Sequence, residues 1–231
     1  MSTTVACVLR AGKGFTPEYV VKLWEQVRRH WEGPLRFLCL TDTPIRHPRV
    51  KELRLEHDWP GYWSKLELFR PDIRGPLLTF DLDTMIVGSL AKIQETHRHT
   101  MLRAFKKEWK HRVASGMMFL PEEVRPVIWN RWMLDPKKWM RVHKWPNSKG
   151  HLPGDQGFMQ ETWERSGWGG KRTPDSHWQR HGIQRWQKVC PREIVSYKRH
   201  VRKKRRVPNG ATVVCFHGKP RPHEIKWRLP A

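Results

Sequence analysis

Two carboxylates one residue apart, Asp81 and Asp83, follow the apolar run Leu77-Leu78-Thr79-Phe80 and precede another, Met85-Ile86-Val87. In extended backbone, residues i and i+2 project to the same side. Placed where a strand enters a loop, the pair can grip one hard divalent cation through oxygen ligands. A cation held there bridges a pyrophosphate and stabilises it as a leaving group. Far downstream, Val213-Val214-Cys215-Phe216 runs into His217-Gly218-Lys219-Pro220. His217 offers an imidazole as a third metal ligand, or is a hydrogen-bonded structural histidine. Gly218 lets backbone approach an oxyanion, and Lys219 brings a point charge for phosphate. Two smaller elements stand between. Gly154-Asp155-Gln156-Gly157 opens a helix, with Asp155 either a site carboxylate or a plain N-cap. Ala114-Ser115-Gly116-Met117-Met118 holds a glycine that serves either a ligand's close approach or tight strand packing.

These residues need a scaffold that delivers them to one edge. Thr3 to Leu9 is apolar and β-branched enough for a buried strand. Thr16-Pro17-Glu18 then reads as an N-cap, a proline at the first helical position and an acid in the first turn. The helix runs to about Trp31 with Val20, Leu23, Trp24 and Val27 on one face, and Gly33-Pro34 stops it. Leu35–Leu40 is a second strand. This β-α-β order opens an open, mostly parallel sheet, which places ligands at the carboxyl ends of its strands. A weaker strand at Val50–Leu55, a short helix at Trp63–Arg70 and the strand before Asp81 follow. Met101–Phe105 and Val113–Leu120 are expected strands, and Pro121–Met133 and Asp155–Trp163 expected helices. Residues 164–188 read as an irregular segment. Ile194–Tyr197 and Thr212–Phe216 are late strands, and the tail from Lys219, with Pro220, Pro222 and Pro230, folds back over the sheet. With no internal repeat or low-complexity linker, one domain over residues 1–231 is expected.

Taken in order, these motifs resemble the type A nucleotide-sugar glycosyltransferases, and in particular family 8, the glycogenin-like and galactosyltransferase-like retaining enzymes. The likeness spans about residues 3 to 220 as short islands. It implies an α/β fold with an open, mostly parallel sheet, helices on both faces and a basic C-terminal elaboration. It also implies a nucleotide-diphosphate sugar, a UDP-sugar, as donor. In that family the first strand holds the nucleotide, a stretch occupied here by Val8, Leu9 and Arg10. Lys65, in Trp63-Ser64-Lys65-Leu66-Glu67, matches the basic residue that holds the sugar-phosphate. Asp81 and Asp83 match the metal motif, Ser115 and Gly116 the sugar-facing strand, and Asp155 and Gln156 the pair beside the anomeric carbon. His217, Gly218 and Lys219 match the closing motif, in which the spacing is compressed here. A rival resemblance exists: Phe80-Asp81-Leu82-Asp83-Thr84 also looks like the nucleophile motif of haloacid-dehalogenase phosphatases. That family's usual partners are replaced by Met85 and Met159.

The net charge is +23 and is unevenly spread. Residues 1–100 hold 15 Lys/Arg against 12 Asp/Glu, while residues 101–231 hold 30 against 10, together with ten of the 14 Trp. Two jobs are implied: a donor-binding half over 1–120 and a basic, Trp-rich acceptor half over 121–231. Such a surface binds polyphosphate strongly and with salt sensitivity. Trp109, Trp145, Trp168, Trp178 and Trp186, set among Lys, Arg and His, suggest a stacking surface for bases. The expected acceptor is therefore nucleic acid, a hydroxylated base in DNA as in viral DNA-modifying glycosyltransferases. An anionic glycan such as a lipopolysaccharide core, a protein acceptor, and a non-catalytic nucleic-acid binder stay open as alternatives. The four cysteines match no zinc or disulfide spacing and read as buried free thiols. No apolar run approaches membrane-spanning length and no signal-peptide layout stands at the start, so a cytoplasmic location is expected.

Overall fold

The computed structural model of the chain describes residues 3–12, 14–109, 112–146, 151–166 and 182–225. The β-α-β opening is present as β1 (Thr4–Leu9), α1 (Pro17–His30) and β2 (Arg36–Thr41). Pro17 begins α1, where a missing N–H costs nothing, and Arg28, Arg29 and His30 close it, where positive charge complements the helix dipole. Next come β3 (Lys51–Arg54) and a 3-10 helix over Gly61–Phe69. β4 (Leu77–Phe80), β5 (Thr84–Ile86), the short α2 (Ala91–Gln94), β6 (Thr100–Arg103) and β7 (Val113–Leu120) follow. Then come α3 (Arg125–Leu134), α4 (Pro136–Val142), α5 (Asp155–Arg165), β8 (Gln184–Arg185), α6 (Trp186–Val189), β9 (Ile194–Ser196) and β10 (Val213–Cys215).

Among the described residues, the large sheet has the order β3-β2-β1-β4-β7-β6-β8. Its first four strands run parallel, and β7 is antiparallel to both β4 and β6. A second sheet, β5-β10-β9, pairs β10 antiparallel to β5 and parallel to β9.

Strand alternation sorts the core into two layers. Val5, Cys7 and Leu9 of β1 and Phe37 and Cys39 of β2 pack with Val20, Leu23 and Val27 of α1. Their sequence neighbours Ala6, Leu38 and Leu40 face the opposite way, against Trp63 and Leu66 of the 3-10 helix, Ile128 and Trp132 of α3, and Phe158, Met159 and Trp163 of α5. Trp132 stacks on Trp63 at 5.2 Å between ring centroids and meets Phe158 edge-on at 5.0 Å. The 3-10 helix and α5 are thereby fixed to one another through α3. Buried Glu67 adds a polar anchor: its carboxylate accepts the backbone N–H groups of Glu56 and His57 at 2.8 and 2.9 Å and pairs with Arg70 at 3.0 Å.

Several expectations are redrawn. The helix expected over Pro121–Met133 is a 3-10 turn at Glu122–Val124 followed by α3, with Pro126 in the first turn of α3, and a further helix, α4, starts at Pro136 beyond it. The strand expected over Met101–Phe105 ends at Arg103. Its pairing with β7 slips between Met101, opposite Met118, and Leu102, opposite Ala114, so residues 115–117 bulge. The 164–188 segment, expected to be ordered but irregular, contains regular structure in β8 and α6, while 167–181 lies outside the described residues. Trp186 is completely buried in the core and offers no stacking face, and Trp168 and Trp178 also lie outside the described residues. The four cysteines are free and buried, as expected.

Gly157 shows how tightly α5 is seated. A Cβ on it would come within 1.8 Å of the Leu152 carbonyl oxygen and 3.5 Å of the His143 ring. Gly157→Ala is therefore expected to push the 152–155 turn away from α5 and lower the melting temperature by more than about 5 °C, since ~1 kcal/mol moves it by roughly 2–4 °C in a chain of this size. An unchanged thermal unfolding curve would show that the turn moves freely.

Candidate active site

Asp81-Leu82-Asp83 is the junction between the two sheets. Asp81 leaves β4 with its N–H bonded to the Gly116 carbonyl at 2.9 Å, and its own carbonyl accepts the Thr84 N–H at 2.9 Å as the chain turns into β5. Leu82 enters the core while both carboxylates stay at the edge. The 3-10 helix brings Lys65 to the same point. Its ammonium lies 2.7 Å from Asp81 Oδ1 and 3.5 Å from Asp155 Oδ2, and donates to Ser115 Oγ at 3.1 Å. The Ser115 hydroxyl in turn donates to Asp155 Oδ2 at 2.6 Å. The bulge in β7 is what carries Ser115 to this cluster. Asp155 is the first residue of α5, yet it does not cap the helix; its carboxylate is spent on Ser115 and Lys65. Four residues from four separate stretches of sequence thus share one polar knot.

The electrostatics follow from the small supply of water. Burial works against the Lys65 ammonium, but Asp155 and Asp81, with Asp83 adding, outweigh it and hold the lysine above its ordinary value. Burial, and then the neighbouring Asp81, pushes the Asp83 carboxyl up to about 7, against the pull of Lys65 and Arg221. Asp81 is raised by burial as well, with Lys65 opposing. The carboxylate pair is therefore short of positive charge, which is the condition a divalent cation relieves.

Two cavities open on either side of this knot, and Tyr62, Lys65, Asp81, Asp83 and Gly218 line both. One, of about 510 Å³, runs over the end of β1 past Val8, Arg10, Gly12 and Phe15 to Arg221. The other, of about 460 Å³, is walled by Ser115, Gly116, Asp155 and Gln156, and by Phe105, Trp109 and His217 at its mouth. The carboxylate pair stands at the wall where the two meet.

The remaining expected site residues divide. Val8 and Arg10 face the first cavity, and Arg10 is pinned there by Asp42 at 3.3 Å and Asp58 at 3.1 Å. Leu9, between them, turns its side chain wholly into the core, as alternation along a strand requires. Gly218 adopts φ +77°, a backbone state that favours glycine, and lets the chain turn beside both cavities. Lys219 lines neither; its side chain is 84% exposed and 3.9 Å from Glu224. Arg221, which the sequence reading passed over, lines the first cavity instead, with its guanidinium 4.1 Å from the centre of the Phe15 ring. Tyr62, between the cavities and against Gly154, was also passed over.

His217 is brought to the second cavity by β10, whose Cys215 pairs with Thr84 directly after Asp83. Its Nε2 is held by Ser196 Oγ at 2.6 Å and its ring stacks on Phe105 at 5.5 Å. Burial first, then Lys198, Arg199 and Lys106, push it down to about 4. Among the described residues, no three His, Cys, Asp or Glu side chains converge as a ready-made metal cage. The chemistry of the donor set fits a cation at Asp81 and Asp83, while the Nε2 of His217 is engaged by Ser196.

No protein-family model and no curated protein sequence matches the chain. Solved structures do. The apo form of the glycosyltransferase GlyE of Streptococcus pneumoniae TIGR4 superimposes with a TM-score of 0.59 at 10% identity, over 98% of this chain and 57% of that one. The galactosyltransferase LgtC, solved with donor and acceptor sugar analogues, gives 0.58 at 11% identity, over 95% of this chain and 88% of that one. The bifunctional glycosyltransferase WbbM gives 0.54 at 9% identity, over 96% of this chain and 46% of that one. The chain thus spans little more than half the length of GlyE and less than half that of WbbM. At these identities the likeness establishes the fold: an α/β architecture of the type A glycosyltransferase kind.

The charge state of Asp83 makes the site testable without any substrate. A carboxyl raised in the folded chain adds stability that is fully present below its unfolded value, near 3.8, and is lost as pH rises through about 7. In chelator, wild-type protein is expected to lose several degrees of melting temperature between pH 5 and pH 8 through this group, and Asp83→Asn to lose less. Parallel pH profiles for the two proteins would remove Asp83 from the buried pair.

Proposed function

We propose that the chain is a metal-dependent glycosyltransferase that takes a sugar from a nucleotide-diphosphate donor, a UDP-sugar by the resemblance of its motifs. The observation that carries this reading is the Lys65 knot: one ammonium shared by Asp81, Ser115 and Asp155 where two cavities meet. On this reading the cavity over β1 holds the nucleoside, whose diphosphate reaches Asp81 and Asp83, and the sugar points across the wall into the second cavity. A Mn2+ or Mg2+ ion on Asp81 and Asp83 would offset charge on the departing diphosphate.

The chain's own residues do the rest. Lys65 stands beside the breaking bond and stabilises the charge that collects on the phosphate oxygen. Arg221 takes the phosphate-facing role that the motif reading gave to Lys219. Ser115 and Gly116 hold the sugar, and Asp155, oriented by Ser115 and flanked by Gln156, lies beside the anomeric carbon. The acceptor's oxygen bonds to that carbon while the carbon–oxygen bond to the diphosphate breaks. The electron pair leaves on the diphosphate, which also takes up the acceptor's proton. Retention of configuration is the outcome the family resemblance implies.

The type A glycosyltransferase fold supports the transferase reading over the phosphatase reading of Asp81. The acceptor is proposed to be polyanionic, a hydroxylated base in DNA. The charge of the second half supports a polyanionic acceptor.

A panel of nucleotide sugars tests the donor side. With Mn2+ present, the cognate donor at ~100 Kd is expected to stabilise the wild type by about 2.7 kcal/mol, or roughly 5–10 °C. Asp83→Ala should abolish that metal-dependent gain. Lys65→Met should reduce release of nucleoside diphosphate by about a hundredfold or more, the loss expected when one preorganised charge is removed from a transition state. Phosphate release from simple esters, with no response to any nucleotide sugar, would overturn the proposal.

A further inference from the structure

The mouth of the second cavity is built differently from its floor. On one side, the loop after β6 presents Phe105, Lys106 and Trp109, with the Lys106 ammonium 4.0 Å above the Trp109 ring. Its base is closed by backbone bonds from Ala104 to the Arg112 carbonyl at 2.9 Å and from Arg112 to the Trp109 carbonyl at 2.8 Å. On the other side, the turn after β9 (Tyr197–Val201) brings Lys198 beside Gly218, where a Cβ would stand 3.7 Å from its ammonium. The two sides touch through Phe105, stacked on His217 and edge-on to His200 at 6.1 Å. Cations from both loops act on the one His217 ring.

From Lys198 the basic run leaves the mouth. Seven of the nine residues from Lys198 to Arg206 are Lys or Arg, and residues 202–206 are all exposed. Among the described residues, none of these seven forms an ion pair with a carboxylate. Val201, alone in the run, is buried in a small cluster with Val195, Tyr197 and Val214 that ties the run to the second sheet. A run of like charge held on a fixed surface repels itself, and is relieved by a partner with regularly spaced negative charge. The run begins beside the aromatic-walled cavity at Lys198 and continues as exposed cations, a density of charge that suits a phosphate chain better than a glycan carrying one or two acidic groups.

We infer that this mouth is a two-sided clamp for an unpaired stretch of nucleic acid, with Trp109 as the stacking wall for one base and Lys198, Arg199 and the exposed run on the phosphates. This rests on, and deepens, the transferase reading: it names the form in which the acceptor arrives. A base within a duplex presents only its edges, whereas an unstacked base offers a face to an aromatic ring and can pass into the cavity behind it. Trp109 is thus the specificity-determining residue for single strand over duplex, and the cations supply affinity without sequence preference.

The test measures binding of a short fluorescein-labelled oligodeoxynucleotide, as single strand and as duplex, with heparin as a sulfated-polysaccharide competitor. Wild-type protein should bind the single strand more tightly than the duplex. Lys198→Glu/Arg199→Glu should weaken single-strand binding about tenfold or more at ~100 mM salt and flatten its dependence on salt concentration. Trp109→Ala should cost about fivefold or more on the single strand and little on the duplex, with recovery in Trp109→Phe. Equal affinity for both forms, or Trp109→Ala without effect on their ratio, overturns the clamp. Heparin outcompeting the oligonucleotide at equal charge assigns the surface to acidic glycans and overturns it too. Nucleotide-sugar binding by the wild type without DNA scores the donor side separately, so either reading can fail alone.

Discussion

Everything at this site depends on one ammonium. Lys65 is nearly buried, and three carboxyl groups, Asp81, Asp83 and Asp155, sit around it in a space with little water. Removing its charge would leave Asp81 and Asp155 facing each other without a counter-ion, and buried charge without a partner is among the costliest faults a fold can carry. The lysine is held there by means other than the carboxylates it serves. Glu67, two residues on, fastens the 3-10 helix through two backbone amides and Arg70, and Trp63 is stacked on Trp132. Orientation is therefore supplied from behind the site and charge balance from within it. A positively charged side chain with a rigid mount is what phosphate-transfer and sugar-transfer chemistry need, because no reorganisation is then required when charge develops.

The topology explains how residues so far apart in sequence converge. β4 is the central strand of the large sheet and β5 begins the small one, so the three residues between them occupy the seam. β10 pairs antiparallel to β5 and so leaves the small sheet at the point where Asp83 enters it. The segment after β10 is thereby committed to the same seam, and Gly218 turns it over both cavities to bring Arg221 back to Phe15. α5 contributes Asp155 from the opposite layer, seated by the contact of Gly157 with the Leu152 carbonyl.

Much of this was readable from sequence because it rests on short-range rules. The β-α-β opening, the strand before Asp81, the helix starting at Asp155 and the identity of Lys65 all follow from periodicity, caps or motif order. What failed to read is what depends on pairing partners. The slip between β6 and β7 that carries Ser115 inward is a property of two strands together, signalled in sequence only by Gly116. His217 is the residue type expected, but its Nε2 is taken by Ser196, whose nearness follows from the parallel pairing of β9 with β10. Lys219 and Arg221 differ by two positions and by a turn, and only the path of that turn decides which one faces the first cavity. Trp186 has the composition of a stacking residue and the burial of a core one; amphipathic surroundings in sequence do not separate the two.

The charge distribution then acquires a mechanical meaning. On the proposed reading both substrates are anions, a diphosphate on one side of the seam and a phosphate chain on the other. An enzyme with one continuous basic groove would let the longer anion occupy both sites, since counterion release favours every additional phosphate contact. The seam prevents this. Asp81 and Asp83 stand between the two cavities, and the cations lie beyond them on either side, Arg221 toward the first cavity and Lys106 and Lys198 around the second. On that reading a polyanion drawn to the basic run would meet the carboxylates at the wall, while a donor with a chelated cation would lie against them from the other side. The carboxylate pair proposed to bind the metal would then also be the fence between donor and acceptor.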